Sequence, residues 1–112
     1  MRPSPTARAI RWCWQQIQEG TPPNVEELAA YLHMSSRTLN RQFQRELGKS
    51  ARDYILNLRM ERAAQSLRAK PDWTVDRVSQ DAGFSNQSAF TAAFRAWSGF
   101  SPRDYRKKSV SA

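Results

Sequence analysis

Apolar side chains recur at steps of three and four residues along the whole chain, which is the spacing of one face of an α-helix. No stretch of four or more residues shows the alternation of apolar and polar positions that is typical of a half-buried strand. The pattern therefore predicts an all-α fold of about seven helices. A first helix is expected over residues 6–19. Its predicted apolar face consists of Ala7, Ile10, Trp14 and Ile17.

Two short segments, GKSARDY at 48–54 and GFSPRDY at 99–105, are nearly the same and lie 99 − 48 = 51 positions apart. Each is predicted to end one helix at its glycine and to begin another at its serine, whose hydroxyl can cap a first-turn N–H. The aspartate three residues after the serine has the spacing of a capping box. Pro102 supports a helix start, because proline suits the first helical position. The tyrosine that closes each segment is expected to anchor the new helix in the core.

Upstream of each segment the chain is predicted to form a short helix, a tight turn and a longer helix. The two longer helices are expected over about 36–47 and 86–98. Val25 and Val75 align at an offset of 75 − 25 = 50, whereas residues after the turn align at 51, so the second copy holds one more residue near its turn. The apolar positions of the longer helices are Leu39, Phe43 and Leu47 in the first and Phe90, Phe94 and Trp97 in the second.

Composition and charge narrow the class of partner. At 39% hydrophobic and 25% charged, the chain is composed like an ordinary soluble globular protein. Its net charge of +8 and pI of about 10.6 favour an anionic partner, with nucleic acid first and an anionic membrane surface second. No apolar run is long enough to cross a bilayer. Cys13 is the only cysteine, which excludes an internal disulfide and fits a reducing cytoplasm, and it is expected in the core.

A short helix, a tight turn and a longer helix with one polar face are typical of a helix-turn-helix, whose second helix can lie in the major groove of DNA. We expect one DNA-binding domain over 1–112, with a first helix-turn-helix unit at 6–49, a linker helix at 50–70 and a second unit at 73–108. A linker helix of about 20 residues would span about 30 Å. That is close to one turn of B-DNA, roughly 34 Å, so both recognition helices could enter successive major grooves.

The first recognition helix carries Arg37, Arg41 and Arg45 at four-residue steps, on the side away from its apolar positions. Like charges so placed repel one another, which makes the arrangement better suited to phosphates and guanine edges than to water. Asn40 and Gln44 lie on the same arc and add amides of the type that pairs with adenine. The alternative is a solvated basic face without a partner.

The second recognition helix lacks this basic face, because the positions aligned with the three arginines hold Ser88, Ala92 and Ala96. We infer an asymmetric reader, in which the first helix makes ionic and guanine-type contacts and the second makes weaker hydrogen-bond, methyl and shape contacts. The polar residues of its outer face are Gln87, Ser88 and Thr91, with Arg95 as the one cation.

With these residues in view, the sequence resembles the DNA-binding domain of the AraC/XylS family of bacterial transcription regulators. The most specific part of the resemblance is GFSNQSAFTAAFRAWSGFSPRDYR at 83–106. The resemblance implies two helix-turn-helix units joined by a long helix, monomeric binding to an asymmetric double-stranded site, and usually activation by contact with RNA polymerase. Most members carry a separate effector-binding or dimerisation domain, so we expect either a small stand-alone regulator or part of a longer protein, cytoplasmic and associated with the nucleoid.

Residue by residue, the repeat and the resemblance together predict two sets of contacts. Ala92 departs from the family, in which arginine is frequent at this position, and Ser79 stands where the family usually packs alanine. The predicted base contacts are Ser36, Arg37, Asn40, Arg41, Gln87, Ser88 and Thr91. The predicted phosphate contacts are Ser35, Gln44, Arg45, Lys49, Ser85 and Arg95.

Other classes of protein fit the sequence less well. An enzyme is not expected, because His33 is the only histidine and no paired acid and base or phosphate loop is found, so no catalytic residue, metal ligand or cofactor is predicted. A module that coats DNA without sequence preference remains the alternative function. A protein-interaction bundle would carry an exposed apolar stripe instead of an arginine stripe.

Overall fold

Within residues 4–111, which are those that the structure describes, the computed structural model contains seven α-helices and no strand. The all-α prediction is therefore confirmed, while the ends of the predicted 1–112 domain lie outside the described residues. The chain divides into two compact units, unit 1 up to Leu58 and unit 2 from Arg59, so that α4 contributes to both. The helices are α1 (Pro5–Gln18), α2 (Val25–Leu32), α3 (Ser36–Leu47), α4 (Ala51–Ala69), α5 (Val75–Asp81), α6 (Gln87–Ser98) and α7 (Pro102–Ser111).

The helices begin at side chains that accept a hydrogen bond from the backbone N–H three residues later, as N-capping residues do. In the second copy the cap is Asn86, whose Oδ1 accepts from the Ala89 N–H at 3.0 Å, so α6 begins at Gln87. The predicted caps Ser50 and Ser101 form this bond, and Asn24, Ser35 and Thr74 form it at the starts of other helices.

In unit 1, α1, α2 and α3 pack on one another, and the first part of α4 completes the core. Phe43 is fully buried and meets the ring of Tyr54 edge-on, with the two centroids 5.7 Å apart. The half-buried Tyr54 thus anchors the start of α4, as predicted. The buried residues of this core are Ala9, Cys13, Leu28, Ala29, Leu32, Leu39, Phe43, Ala51, Ile55 and Leu58.

The buried face of α1 is rotated from the one that the apolar pattern predicted. Ala9 and Cys13 are fully buried and Thr6 nearly so, whereas Ala7 is exposed and Trp14 is 46% exposed. The prediction was wrong for Ala7 and Trp14, because small side chains occupy the closely packed side of α1, whereas the predicted Ile17 is half-buried and packs against the core. Burial raises the pKa of the Cys13 thiol to about 12, so this side chain stays protonated and packs as a small apolar group.

In unit 2, Phe94 is the centre of an aromatic cluster. Its ring centroid lies 5.6 Å from those of Phe90 and Trp97 and 5.3 Å from that of Tyr105, which meets it edge-on. Tyr105 therefore anchors α7 on α6, as predicted for the tyrosine of the second segment. The buried residues of this unit are Met60, Ala63, Ala64, Ser66, Leu67, Val78, Ser79, Ala82, Phe90, Phe94 and Pro102.

Two residues that were predicted to point inward are partly exposed, Leu47 by 38% and Trp97 by 37%. Steps of four residues overshoot the helical repeat of 3.6, so an apolar row that starts at Leu39 has turned towards solvent by Leu47. Trp97 keeps its ring contact with Phe94, but an indole is seldom buried completely because of its size.

The length difference between the two copies is located at one residue. His33 follows α2 and Gly83 follows α5, and both have a positive φ, 55° and 89°. They are 83 − 33 = 50 positions apart. The caps Ser35 and Asn86 are 86 − 35 = 51 positions apart. The predicted extra residue near the second turn is therefore confirmed, and it is Ser85.

Ser79 is 1% exposed, and within the described residues its Oγ has no hydrogen-bond partner. Unit 1 has Ala29 at the equivalent position, 79 − 29 = 50 residues earlier, and it is also buried. Since an unsatisfied buried hydroxyl costs about 1–3 kcal/mol, we expect Ser79→Ala to raise the free energy of unfolding by that amount in urea titrations. The control is Ser88→Ala at an exposed position of α6, and equal effects of the two substitutions would contradict this explanation.

Gly99 ends α6 with φ of 86°, and a β-carbon there would meet no atom within 4 Å. Gly99→Ala should therefore cost only the backbone penalty of the left-handed region, about 1–2 kcal/mol, in thermal unfolding. His33 holds the same type of conformation with a side chain, at φ of 55°. His33→Gly is the matched control with an expected change of opposite sign, and destabilisation by both substitutions would argue against backbone conformation as the cause.

Candidate nucleic-acid interface

The outer face of α3 is basic. Its inner face is fixed by Leu39 and Phe43, which are at most 1% exposed. Arg37, Arg41 and Arg45 are all exposed, and they leave the helix on the side away from these two anchors. The structure thus places the three predicted arginines together in solvent, on a helix whose rotation is set by its buried side.

Asn40 has a structural hydrogen bond that the sequence did not reveal. This half-buried side chain accepts a hydrogen bond through Oδ1 from the backbone N–H of Arg52, in the first turn of α4, at 3.2 Å. Bidentate pairing with adenine requires both the amide oxygen and the amide N–H. While the bond to Arg52 is kept, Asn40 can present only its N–H group, so its suitability as an adenine reader is reduced.

Two of the predicted phosphate ligands are used at the ends of α3. The Ser35 hydroxyl accepts the Thr38 N–H at 3.1 Å and donates to the Thr38 hydroxyl at 2.9 Å. Gln44 donates its side-chain N–H to the Gly48 carbonyl at 3.3 Å. Both side chains are exposed, as is Lys49, so each can still be reached by an anion.

The outer face of α6 is a shallow concave surface with short side chains. Phe90 and Phe94 are fully buried on the other side of the helix and fix its rotation. The structure brings the predicted residues of this helix together on one surface. Its lining residues are Gln87, Ser88, Thr91, Ala92, Arg95 and Ala96.

Ser85 lies outside the outer face of α6. It is exposed in the turn between α5 and α6, one residue before the cap Asn86. Because Ser85 is the extra residue of the second copy, no residue of unit 1 corresponds to it. Its phosphate contact therefore stays a prediction that the repeat does not support.

Two arginines of α4 hold the second helix-turn-helix, and neither was singled out from the sequence. Arg59 donates through Nε to the Ala82 carbonyl at 2.7 Å, and its guanidinium lies 4.5 Å from the centroid of Phe84. Arg62 pairs with Asp81 at 3.0 Å. Burial lowers the pKa of Arg59 from its ordinary value. These contacts fasten the end of α5 and the turn that leads into α6, and they join residues too far apart in sequence for a local pattern to predict.

Metal ligands and membrane spans can be considered for the part of the chain that the structure describes. There, no group of three or more His, Cys, Asp or Glu side chains is arranged to hold a metal ion. His33 is exposed in a left-handed conformation at the end of α2, which identifies it as a turn residue. None of the helices described has the length and apolar character needed to cross a membrane.

The two units each form a helix-turn-helix motif, and solved structures share this arrangement. The DNA-binding domain of AdpA, a global transcriptional factor solved in complex with a target DNA, is 30% identical over 95% of this chain and 93% of its own, with a TM-score of 0.79. An AraC-type transcriptional regulator from Chromobacterium violaceum is 27% identical over 94% and 91% of the two chains, also with a TM-score of 0.79.

Family and sequence comparisons agree with these structures. The family described as a helix-turn-helix domain matches residues 28–108. The Msm operon regulatory protein of Streptococcus mutans is 34% identical over 91 residues, which are 81% of this chain and 32% of that protein. The transcriptional activator RhaS of Escherichia fergusonii is 33% identical over 98 residues, 88% and 34% of the two proteins. The chain belongs to the AraC-type helix-turn-helix family, and it spans about a third of the length of these two relatives.

Proposed function

We propose that this chain binds double-stranded DNA in a sequence-specific manner, as the DNA-reading part of a bacterial transcription regulator. The observation that carries the proposal is the exposed row of Arg37, Arg41 and Arg45 on α3. Three like charges at four-residue steps are unfavourable in water and become favourable opposite phosphates and guanine edges. The likeness to the AdpA domain, which was solved with a target DNA, supports the same use of the fold.

In this proposal the two recognition helices read the site unequally. Arg37 and Arg41 are the strong base readers, because an arginine fork pairs with the O6 and N7 of guanine. Ser36 and the free N–H of Asn40 assist them, and α6 reads through Gln87, Ser88 and Thr91. Phosphate contacts are assigned to Ser35, Gln44, Arg45, Lys49, Ser85 and Arg95.

Both helices are proposed to enter successive major grooves on one side of an asymmetric site. The helix that links the units, α4, has 19 residues and is therefore roughly 28 Å long. This length is compatible with the distance of roughly 34 Å between equivalent groove positions one turn apart. A single chain would then suffice to read both grooves, without a symmetric dimer.

Activation of transcription is the proposed outcome of binding, since the relative RhaS is named a transcriptional activator. Activation implies a contact with RNA polymerase, and an effector-binding or dimerisation domain is proposed as a further partner, for which the greater length of the relatives leaves room. With these partners, the proposed location of the protein is on the DNA of the nucleoid, in the bacterial cytoplasm.

The second candidate is a DNA-binding module without sequence preference, which the net charge of +8 would favour. Selection from a random pool of double-stranded DNA at roughly 150 mM salt separates the two, because this ionic strength weakens binding by charge alone. We expect an enriched, non-palindromic motif with two blocks about one helical turn apart. We call the block that Arg41→Ala erases the α3 block and the other the α6 block. If the protein retains DNA but no sequence is enriched, the chain is a DNA-binding module without sequence preference.

Arg41 and Arg45 are both exposed cations of α3. Arg41 is assigned to a base, whereas Arg45 is assigned to a phosphate. Arg45→Ala should weaken binding to all sequences alike and lower the slope of log K against log salt by about one. Arg41→Ala should instead cost about 1–3 kcal/mol on the selected site and relax the base preference in the α3 block. Titrations of selected and scrambled DNA at several salt concentrations measure both effects, and identical behaviour of the two variants would refute the assignment.

A further inference from the structure

The outer face of α6 differs from that of α3 in the reach of its side chains. Where α3 has Arg37 and Arg41, α6 has Ser88 and Ala92 at an offset of 51. Both α6 residues are exposed and lie on one surface with the half-buried Thr91. The central part of this face thus offers two methyl groups and two hydroxyls, but no long side chain.

Short side chains can contact a base only if the helix backbone comes close to it. An apolar contact requires carbon atoms within about 4.0–4.5 Å of each other. The methyl groups of alanine and threonine come this close to a base only when the helix lies deep in the groove. Arginines at these positions would hold the backbone further from the bases. Because Ala92 stands where α3 has a long side chain, α6 can approach the bases more closely than α3 can.

One base in the major groove presents an apolar group to such a face. Thymine carries a C5-methyl group there, and alanine and threonine methyls are its usual contacts. Gln87 is exposed at the start of the same surface, and a glutamine amide pairs with the N6 and N7 of adenine. Both features favour A·T pairs, because the methyl groups suit thymine and the Gln87 amide suits adenine.

We infer that unit 2 recognises thymine methyl groups through Ala92 and Thr91, so that the α6 block consists mainly of A·T pairs. This inference rests on the proposed function, since it concerns the second half of the same DNA site. It adds a chemical identity for the bases that α6 reads. Arg95, exposed one turn further along α6, then supplies a phosphate contact beside the apolar part.

Deoxyuridine in place of thymidine removes only the methyl group and leaves every hydrogen-bonding group of the base in place. In titrations of the full chain with the selected site, replacing a contacted thymine of the α6 block should weaken binding about fourfold, as expected for the loss of one methyl-sized apolar contact. Replacing thymines of the α3 block should change affinity much less. Equal losses in both blocks, or no loss in the α6 block, would overturn the inference.

A variant of the protein tests whether Ala92 makes the contact. Ala92→Ser adds a hydroxyl to the apolar methyl group, so at the thymine that Ala92 contacts the variant should bind the thymine and uracil forms almost equally well. Ala96→Ser, one turn further along the same surface, is the matched control and should keep the fourfold difference. If Ala92→Ser also keeps it, Ala92 is not the reader. If the selection yields no motif at all, the proposed function fails together with this inference, whereas a motif without thymine sensitivity refutes the inference alone.

Discussion

In each unit the recognition helix depends on one aromatic contact. A fully buried phenylalanine of that helix, Phe43 or Phe94, packs edge-on against a tyrosine eleven residues later, since 54 − 43 and 105 − 94 are both 11. Such pairs contribute about 0.5–1.5 kcal/mol beyond the area they bury. Their larger effect here is geometric. They fix the rotation of α3 and α6 about their axes, and this rotation decides which side chains face outward.

The same packing limits which polar groups are available to a ligand. Asn40 lies on the recognition helix, yet its amide oxygen accepts a hydrogen bond from the start of α4. Gln44 similarly donates to the carbonyl of Gly48 at the end of α3. The arginines of α3 carry no such structural bond among those described above, and their side chains are exposed. Charged groups are thus left for recognition, while these two amides stabilise the fold.

The local features of the fold could be predicted from the sequence, and the long-range ones could not. Caps such as Ser50 and Ser101 involve partners three residues away, so a short pattern contains both. The buried face of α1 depends on how closely other helices approach, which favoured Ala9 over larger residues. The bond from Arg59 to the Ala82 carbonyl joins residues 23 positions apart, and a carbonyl leaves no signature in a sequence. For the candidate site, the arginine row was predictable, but the bond that occupies Asn40 was not.

The asymmetry between the units gives their contributions to DNA binding different physical origins. Contacts of the α3 arginines release counterions, so their strength falls as the salt concentration rises. Contacts between methyl groups depend on removing apolar surface from water, and this contribution is insensitive to moderate salt. The α6 block should therefore supply a growing share of the discrimination between sequences as ionic strength increases. One chain with two copies of a motif can in this way keep part of its specificity under conditions that weaken its charged face.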